Sequence, residues 1–236
     1  TAGLTFDGSG NLWVCDPGNS RVLRYPAASL SDSSPNGPEA DLVIGQANFT
    51  SLQTVDWSKP ETRLSKSVLL QPSGVTFDPA GRLFIADGSN RLMAYVGPFR
   101  NGMDAARFAG VVVNIQGQPP RPAINEYSLF SPETAVATAA GIFVADTGAH
   151  RIVRYDPFDQ WPEETAVLPS PPAKAVFGQS DLLSFKANRG ATQPSESTFA
   201  SPTGMTVANN ELYLCDTGNN RLLVMPLSGI NLGPAT

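Results

Sequence analysis

Apolar residues recur along the chain in short runs that turns interrupt, a spacing typical of β-hairpins rather than of amphipathic helices. One arrangement occurs four times: an apolar run, a tight turn and a second apolar run that ends in Asp. The turns contain Asp-Gly-Ser-Gly, Asp-Pro-Ala-Gly or Ala-Asn-Asn, which suit the backbone of a tight hairpin. The four stretches are GLTFDGSGNLWVCD at 3–16, GVTFDPAGRLFIAD at 74–87, TAVATAAGIFVAD at 134–146 and GMTVANNELYLCD at 204–216.

Each hairpin is followed by a short sequence motif, here called the repeated phrase, in which a Gly and then an Arg follow the Asp within a few residues. A third apolar run comes next. The anchoring residues Asp16, Asp87, Asp146 and Asp216 recur every 59 to 71 residues. Repetition at long, similar intervals is the signature of a repeat architecture. A fourth run follows the first three repeats but not the last. The third runs are at 21–25, 91–95, 151–155 and 221–225, and the fourth runs at 41–49, 106–113 and 175–183.

The second run of each repeat is apolar at both alternating positions, as in Leu-Trp-Val-Cys and Leu-Phe-Ile-Ala. A strand with one face in water alternates apolar and polar residues, so these inner strands should be covered on both faces. Neighbouring blades of a β-propeller provide such cover. The sequence therefore predicts an all-β propeller of four-stranded antiparallel blades. Its aromatic residues between blades would be Trp13, Phe84, Phe143 and Tyr213.

The repeated segment resembles the NHL repeat. The copies that carry the resemblance best are QPSGVTFDPAGRLFIADGSNRL at 71–92 and SPTGMTVANNELYLCDTGNNRL at 201–222. Three departures stand out: Thr134 replaces the usual Gly, Ala149 and His150 replace Asn-His, and the Asp87 loop is one residue short. The resemblance implies a propeller that serves as a protein- or RNA-binding platform, as an extracellular sensor or, occasionally, as an enzyme such as an amidating lyase.

The resemblance extends over the whole chain, so we expect residues 1–236 to form a single NHL-like propeller region. The expected blades are approximately 1–49, 72–113, 132–183 and 202–227. Propellers of this family commonly have about six blades, and four are visible here. A piece of a longer propeller, an arc completed by another chain and a closed four-bladed ring are all compatible with this count; we favour them in that order.

The repeated phrase joins the second and third strands of each blade, so it should be a reverse turn. In such a turn Asp accepts hydrogen bonds from backbone amides, Gly adopts a positive φ and Arg pairs with carboxylate or carbonyl groups. On this interpretation Asp146→Ala lowers stability by about 1–3 kcal/mol. The alternative is a ring of Asp or Arg side chains that binds a ligand. Calcium binding by the four Asp residues is disfavoured, because the acidic loops typical of calcium sites are absent.

The sequence offers little catalytic chemistry. His150 is the only histidine, which excludes a zinc site with several imidazoles and the residue set of an amidating lyase. A Ser-His-Asp arrangement would have to use His150, and no nucleophile elbow surrounds any Ser. His150 is interpreted as a turn residue. The pairs Gly45-Gln46 and Gly178-Gln179 lack the flanking glycines of a phosphate cradle. We therefore assign no catalytic, metal-binding or cofactor-binding residue and expect no cofactor.

Cys15 and Cys215 stand just before the anchoring Asp, where two other repeats have Ala86 and Ala145. We expect both to be buried free thiols. A disulfide between them would require the first and fourth repeats to be adjacent, which a six-bladed ring does not provide.

Strand parity predicts where binding would occur. The repeated phrases and the connections between blades emerge at the same face, which carries the long stretches 50–71, 114–131 and 184–201. The opposite face carries tight hairpins and the Pro-rich stretches 26–40 and 156–174. Loops on a rigid scaffold commonly bind ligands. The best candidates for recognition are SLQTVDWSKPETRLSKSVLLQ and SFKANRGATQPSESTFAS, and the alternative is that they only cover gaps between blades.

The net charge is −5 and only 16% of residues are charged, which argues against a nucleic-acid partner. No apolar run is long enough to span a membrane. The sequence favours a non-enzymatic scaffold that recognises a protein, peptide or glycan, with another chain possible as a ring-completing partner. The alternative is a hydrolase or lyase whose catalytic groups lie in blades outside this chain. Composition and family habit suggest a secreted, periplasmic or cell-surface location.

Overall fold

The computed structural model describes residues 2–31, 36–53, 60–114, 117 and 119–235. The chain divides into two compact units, Thr1–Phe108 and Ala109–Thr236. Strands are joined by loops and by short 3-10 turns, and none of the described helices could cross a membrane. The 3-10 turns are Pro17–Asn19, Ala27–Leu30, Pro60–Leu64, Thr147–Ala149, Phe158–Gln160, Ala187–Gly190 and Thr217–Asn219.

The described strands form four antiparallel sheets of four strands each, in the order in which they occur along the chain. Sheet 1 contains β1 (Leu4–Phe6), β2 (Leu12–Asp16), β3 (Arg21–Tyr25) and β4 (Leu42–Ile44). Sheet 2 contains β5 (Gly74–Phe77), β6 (Leu83–Asp87), β7 (Arg91–Tyr95) and β8 (Arg107–Ala109). Sheet 3 contains β9 (Pro132–Thr138), β10 (Gly141–Asp146), β11 (Arg151–Tyr155) and β12 (Ala175–Phe177). Sheet 4 contains β13 (Pro202–Ala208), β14 (Glu211–Asp216), β15 (Arg221–Ser228) and β16 (Asn231–Leu232).

The predicted four-stranded antiparallel blades are confirmed, with one correction at the end of the chain. The sequence showed no fourth run after the last repeat, but the two-residue strand β16 pairs with β15 through Leu227–Leu232 and Ser228–Asn231. A strand this short has too few residues to show an alternating pattern, which is why the sequence did not reveal it.

The other outer strands are shorter than predicted, because a glycine ends each of them. Gly45, Gly110 and Gly178 follow β4, β8 and β12 with φ values of 86°, 96° and 88°, a backbone region that favours glycine. A Cβ on Gly45 would also lie 2.6 Å from Leu69 Cγ. The apolar residues beyond these glycines therefore belong to the loops and not to the sheets.

In the first unit, Trp13 of β2 forms the centre of the packing between sheets 1 and 2. Its ring makes edge contacts with Phe77 and Phe99 at centroid distances of 5.5 and 5.1 Å. Its indole nitrogen donates to Asp7 in the β1–β2 turn, at 2.9 Å. An aromatic ring with a satisfied polar atom thus joins the hairpin turn to the core of the unit.

In the second unit, one apolar cluster joins sheets 3 and 4. Sheet 3 contributes residues of β10 and β11, and sheet 4 contributes residues of β13, β14 and β15. The buried members are Phe143, Ala145, Ile152, Phe199, Met205, Leu212, Leu214, Leu223 and Met225.

Burial of the inner strands departs from the sequence prediction in sheets 1 and 4. Strands β6 and β10 are buried along their whole length, as expected. In β2 and β14 burial alternates, because only one face of each sheet is packed against a neighbour. Accordingly Trp13, Phe84 and Phe143 are fully buried, whereas Tyr213 is only half-buried.

Candidate functional site

The Asp of each repeated phrase forms an ion pair with the Arg that begins the third strand. The N–O distances are 2.8 Å for Arg21–Asp16, 2.6 Å for Arg91–Asp87, 2.8 Å for Arg151–Asp146 and 2.7 Å for Arg221–Asp216. The phrase itself is the predicted reverse turn between the second and third strands. The same chemistry in all four sheets indicates a role in building the fold.

The remaining donors of each Arg fasten an adjacent loop segment to its turn. Arg151 donates to the carbonyl groups of Ser128 and Leu182 at 3.1 and 2.6 Å. Arg91 and Arg221 bind backbone carbonyls in the same way. The predicted placement of turns and connecting segments at one face is therefore correct within each unit. These Arg side chains are occupied by the protein itself and do not point to a ligand.

The carboxyl group of Asp146 lies in a fully buried ion pair. Burial raises the pKa of Asp146 to about 6, and the charge of Arg151 opposes that rise. A shifted pKa can indicate a functional group. Here the carboxylate accepts from Arg151 Nε and from the Phe130 amide, and both residues of the ion pair have fully buried side chains. These contacts favour a structural role.

The phrase glycines act differently from the sequence expectation, because a positive φ occurs instead at Ser20, Asn90, His150 and Asn220. The glycines allow a preceding loop to approach closely. A Cβ on Gly148 would lie 2.8 Å from Phe130 O, and one on Gly218 would lie 2.7 Å from Ala200 O. Gly18 makes no such close approach, because no atom lies within 4 Å of the position that a Cβ would take there.

His150 is a turn residue, as predicted, and it also links sheets 3 and 4. Its Nδ1 accepts a hydrogen bond of 2.8 Å from the Ser201 amide. Ser20 Oγ accepts from the Gln71 amide at 3.3 Å in the corresponding position of sheet 1. This equivalence explains His150 as a structural acceptor. The described residues contain no group of three His, Cys, Asp or Glu side chains that could hold a metal ion.

The two cysteines differ from each other. Cys15 is a buried free thiol, as expected, and burial raises its pKa to about 12. Cys215 is also free but exposed, so the expectation of a buried thiol is wrong for this residue. It lies on the face of sheet 4 that does not pack against sheet 3.

The two Gly-Gln pairs, which the sequence did not assign, are equivalent loop clamps. Gln46 Nε2 donates to the carbonyl groups of Ser20 and Gln53, and its Oε1 accepts from the Gln53 amide at 2.7 Å. Gln179 Nε2 donates in the same way to the carbonyl groups of His150 and Lys186, each at 2.9 Å. Gln179 Oε1 differs, because it is buried without a hydrogen-bond partner among the described residues.

A cavity of about 360 Å³ lies beside Gln179 in the loop that follows β12. Its size falls in the range of small-ligand sites. Leu183 and Phe185, both more than half exposed, give it an apolar side. The lining residues are Gln179, Ser180, Leu183, Ser184, Phe185, Lys186 and Arg189.

The loop around the cavity is held by local hydrogen bonds. Asp181 accepts from the amides of Leu183 and Ser184, at 2.9 and 2.8 Å. Hydrogen bonding from the Ser184 hydroxyl lowers the pKa of Asp181. Arg189 donates to backbone carbonyls of Gln179 and Ser197 at 3.3 and 3.2 Å. The cavity therefore lies in an ordered loop that carries two cationic side chains, Lys186 and Arg189.

The predicted recognition segment 184–201 contributes the later half of this site. The residues from Gln179 to Leu183 were assigned instead to an outer strand, and the strand ends before them. The segment 50–71 includes residues 54–59, and the segment 114–131 includes 115, 116 and 118; these residues lie outside the described part of the chain.

Comparison with known proteins agrees with this architecture. Residues 199–225 match the NHL repeat family, a span that holds β13, β14 and the beginning of β15. The fourth sheet is an NHL repeat. A comparison of the sequence with curated proteins gave no significant match.

The chain shares its β-propeller fold with a solved structure. A streptogramin B lyase structure has a TM-score of 0.50 and 11% identity, with 98% of this chain and 52% of that chain covered. A catalytically inactive virginiamycin B lyase from Staphylococcus aureus with quinupristin has a TM-score of 0.48 and 13% identity, with 97% and 53% covered. The chain thus spans about half the length of these structures. At such identity the likeness to the first structure shows the fold alone.

Proposed function

We propose that the chain is a non-enzymatic binding module that recognises an acidic peptide segment at the Gln179 cavity. The observation that carries this proposal is the buried, unpartnered Oε1 of Gln179 beside the cavity. An unsatisfied buried acceptor costs about 1–3 kcal/mol, and a ligand that supplies a donor removes that cost. A peptide amide is such a donor.

The comparison with Gln46 supports a ligand role for the cavity. Both glutamines clamp a loop through Nε2, so the clamp alone does not explain an unpaired oxygen. In sheet 1 the amide seven residues later satisfies the oxygen. In sheet 3 no donor of the described residues reaches the Gln179 oxygen. The oxygen can therefore accept a hydrogen bond from a ligand. This oxygen has no exposed surface, so a donor from the ligand reaches it only when the cavity wall rearranges locally.

The charges of the lining favour an anionic peptide over a neutral glycan. Lys186 forms no salt bridge with the described residues, and it lines the cavity together with Arg189. A carboxylate would pair with this cationic end, while an apolar side chain would pack on Leu183 and Phe185. A neutral sugar would leave the ammonium group without a counter-ion. The expected ligand is therefore an apolar residue next to a carboxylate.

The test is calorimetric titration with the peptide acetyl-Ala-Leu-Glu amide, which has one carboxylate, and with acetyl-Ala-Leu-Gln amide, which has no charge. The charged peptide should bind and the neutral one should bind at least tenfold more weakly. Lys186→Gln should abolish that preference, whereas Lys174→Gln, also an exposed lysine, should not.

A second pair of variants tests whether binding depends on this loop and not on loop clamping elsewhere in the chain. Gln179→Met and Gln46→Met each remove a clamp, but only Gln179 lines the cavity. We expect loss of peptide binding in the first variant and not in the second. Equal binding by both variants, or no preference for the charged peptide, would disprove the proposed site.

The second candidate function is a lyase or hydrolase whose catalytic groups lie outside this chain. What favours it is the fold shared with a streptogramin B lyase of about twice the length. The described residues provide no catalytic constellation of their own, so we expect no turnover. Incubation of the full-length gene product with a streptogramin B, followed by mass spectrometry, tests this: appearance of a product would favour the enzymatic candidate, and its absence would disfavour it.

An extracytoplasmic location is part of the same proposal and rests on the acidic, lysine-poor composition. Fractionation of the source cells, with immunodetection of the chain in the extracytoplasmic and cytoplasmic fractions, tests it.

A further inference from the structure

Two apolar sheet faces remain exposed, one in each unit. The rear face of sheet 1 is formed by Leu4, Phe6, Leu12, Val14 and Leu23. Leu4 and Phe6 are 63% and 58% exposed, Leu12 and Val14 are partly exposed, and Leu23 is buried. The front face of sheet 4 is formed by Tyr213, Cys215, Leu222 and Val224, and Leu222 is 60% exposed. Contiguous exposed apolar residues of this kind mark interaction sites.

The strand registers allow the front face of sheet 4 to be compared with the front face of sheet 3, which another sheet covers. Cys215 is paired with Leu222 in sheet 4, as Ala145 is paired with Ile152 in sheet 3. The front face of sheet 3 is fully buried at Phe143, Ala145 and Ile152 because sheet 4 packs against it. The front face of sheet 4 is therefore built like a surface that receives another sheet.

The register also identifies what fits such a surface. The rear face of sheet 4, which covers sheet 3, carries Met205 paired with Leu214 and Val207 paired with Leu212. The rear face of sheet 1 has the same arrangement, with Leu4 paired with Val14 and Phe6 with Leu12. Phe6 thus corresponds to Val207, and Leu222 corresponds to Ile152. Val207 and Ile152 belong to one apolar cluster.

We propose that two copies of this chain associate head to tail, with the front face of sheet 4 in one copy packed on the rear face of sheet 1 in the other. Both faces are mainly apolar, and each has the residue pattern of one side of the packing between sheets 3 and 4. The one carboxylate beside Tyr213 on the front face of sheet 4, that of Glu211, already accepts a hydrogen bond of 2.7 Å from the Tyr213 hydroxyl. Two different faces make this a heterologous interface. The proposal is independent of the ligand site, whose residues lie on neither face. One copy of this chain covers 52% of the matched streptogramin B lyase structure, so two copies correspond to about the whole length of that structure.

Analytical ultracentrifugation over a range of concentrations tests the association. We expect the 25.0 kDa chain to form dimers and, through the faces left free at each end, larger head-to-tail assemblies as the concentration rises. Phe6→Lys and Leu222→Glu should each weaken dimerisation at least tenfold. Leu52→Lys is the matched control, because Leu52 is 65% exposed but lies in a loop outside both faces. A monomer at all concentrations, or an association that neither face variant weakens, would overturn the proposal.

Mixing the two variants tests the direction of packing. In a solution of either variant alone, every front-to-rear interface contains one altered face. In the mixture, the intact rear face of the Leu222→Glu chain meets the intact front face of the Phe6→Lys chain, so dimerisation should return. Failure to recover would indicate that each face binds itself or a different protein, and would overturn the head-to-tail arrangement. Circular dichroism verifies folding; if either variant is unfolded, Leu4→Lys or Leu222→Ser tests the same face.

Discussion

The Ser201 amide donates a hydrogen bond of 2.8 Å to Nδ1 of His150, so the first residue before sheet 4 is fastened to the turn of sheet 3. Only the neutral imidazole can accept this bond at Nδ1. Burial lowers the pKa of His150, and the charge of Asp216 opposes that decrease. The link between the two sheets is therefore sensitive to protonation.

Stability should decrease as the pH falls from neutral through 6.5 because of His150. A depressed folded-state pKa means that the unfolded chain binds the proton more readily, so the contribution is present above 6.5 and is lost below it. Asp146, whose pKa is raised to about 6, acts with the opposite sign in an overlapping range. Urea unfolding of the native chain and of His150→Asn at pH 7.5 and 5.5 isolates the difference. A pH dependence identical in both proteins would refute this role.

The four ion pairs should differ strongly in their importance to stability. Asp146→Ala leaves Arg151 without its carboxylate partner in a fully buried site, and breaking a buried pair costs about 3–5 kcal/mol. This exceeds the 1–3 kcal/mol expected from the sequence, which could not reveal the burial. Asp16→Ala breaks a partly exposed pair and should cost less than about 1 kcal/mol. Urea denaturation measures both; equal losses would contradict this ranking.

Much of the fold follows from the sequence because repetition exposes it. The four hairpins and the Asp–Arg turns each occur in four copies, so an accidental pattern in one copy is outweighed by the others. The role of the phrase glycine was missed for a physical reason. Its constraint comes from contact with a distant segment, as between Gly148 and Phe130, and such contacts leave no local pattern.

The candidate site was only half predictable from the sequence. The loop from 184 onward is long and polar, which identified it as a recognition segment. The unpaired oxygen of Gln179 depends on whether one backbone amide reaches it, as the Gln53 amide reaches Gln46. The two Gly-Gln pairs are alike in sequence, so only the structure separates them.

Substitution of the phrase glycines should affect stability according to their neighbours. Gly148→Ala places a Cβ against the ring of Phe130 and 2.8 Å from its carbonyl oxygen, and such overpacking costs about 1–3 kcal/mol. Gly18→Ala meets no atom within 4 Å and should change stability by no more than about 0.5 kcal/mol. Thermal unfolding of the two variants checks this difference. A larger loss for Gly18→Ala would show that the turn conformation, and not the close contact, requires glycine.

The two thiols should react at very different rates with a thiol-specific reagent. The reactive species is the thiolate, and Cys15 is both buried and shifted to a pKa of about 12, whereas Cys215 is exposed. We expect one rapid modification in the native chain, two in denaturant and no rapid modification in Cys215→Ser. Since Cys215 lies on the front face of sheet 4, its reaction should slow as the protein concentration rises and a second copy covers that face. The Leu222→Glu variant should lose this concentration dependence, because its front face no longer associates. Rapid native modification of Cys15 would show that the packing of sheet 1 against sheet 2 opens readily in solution.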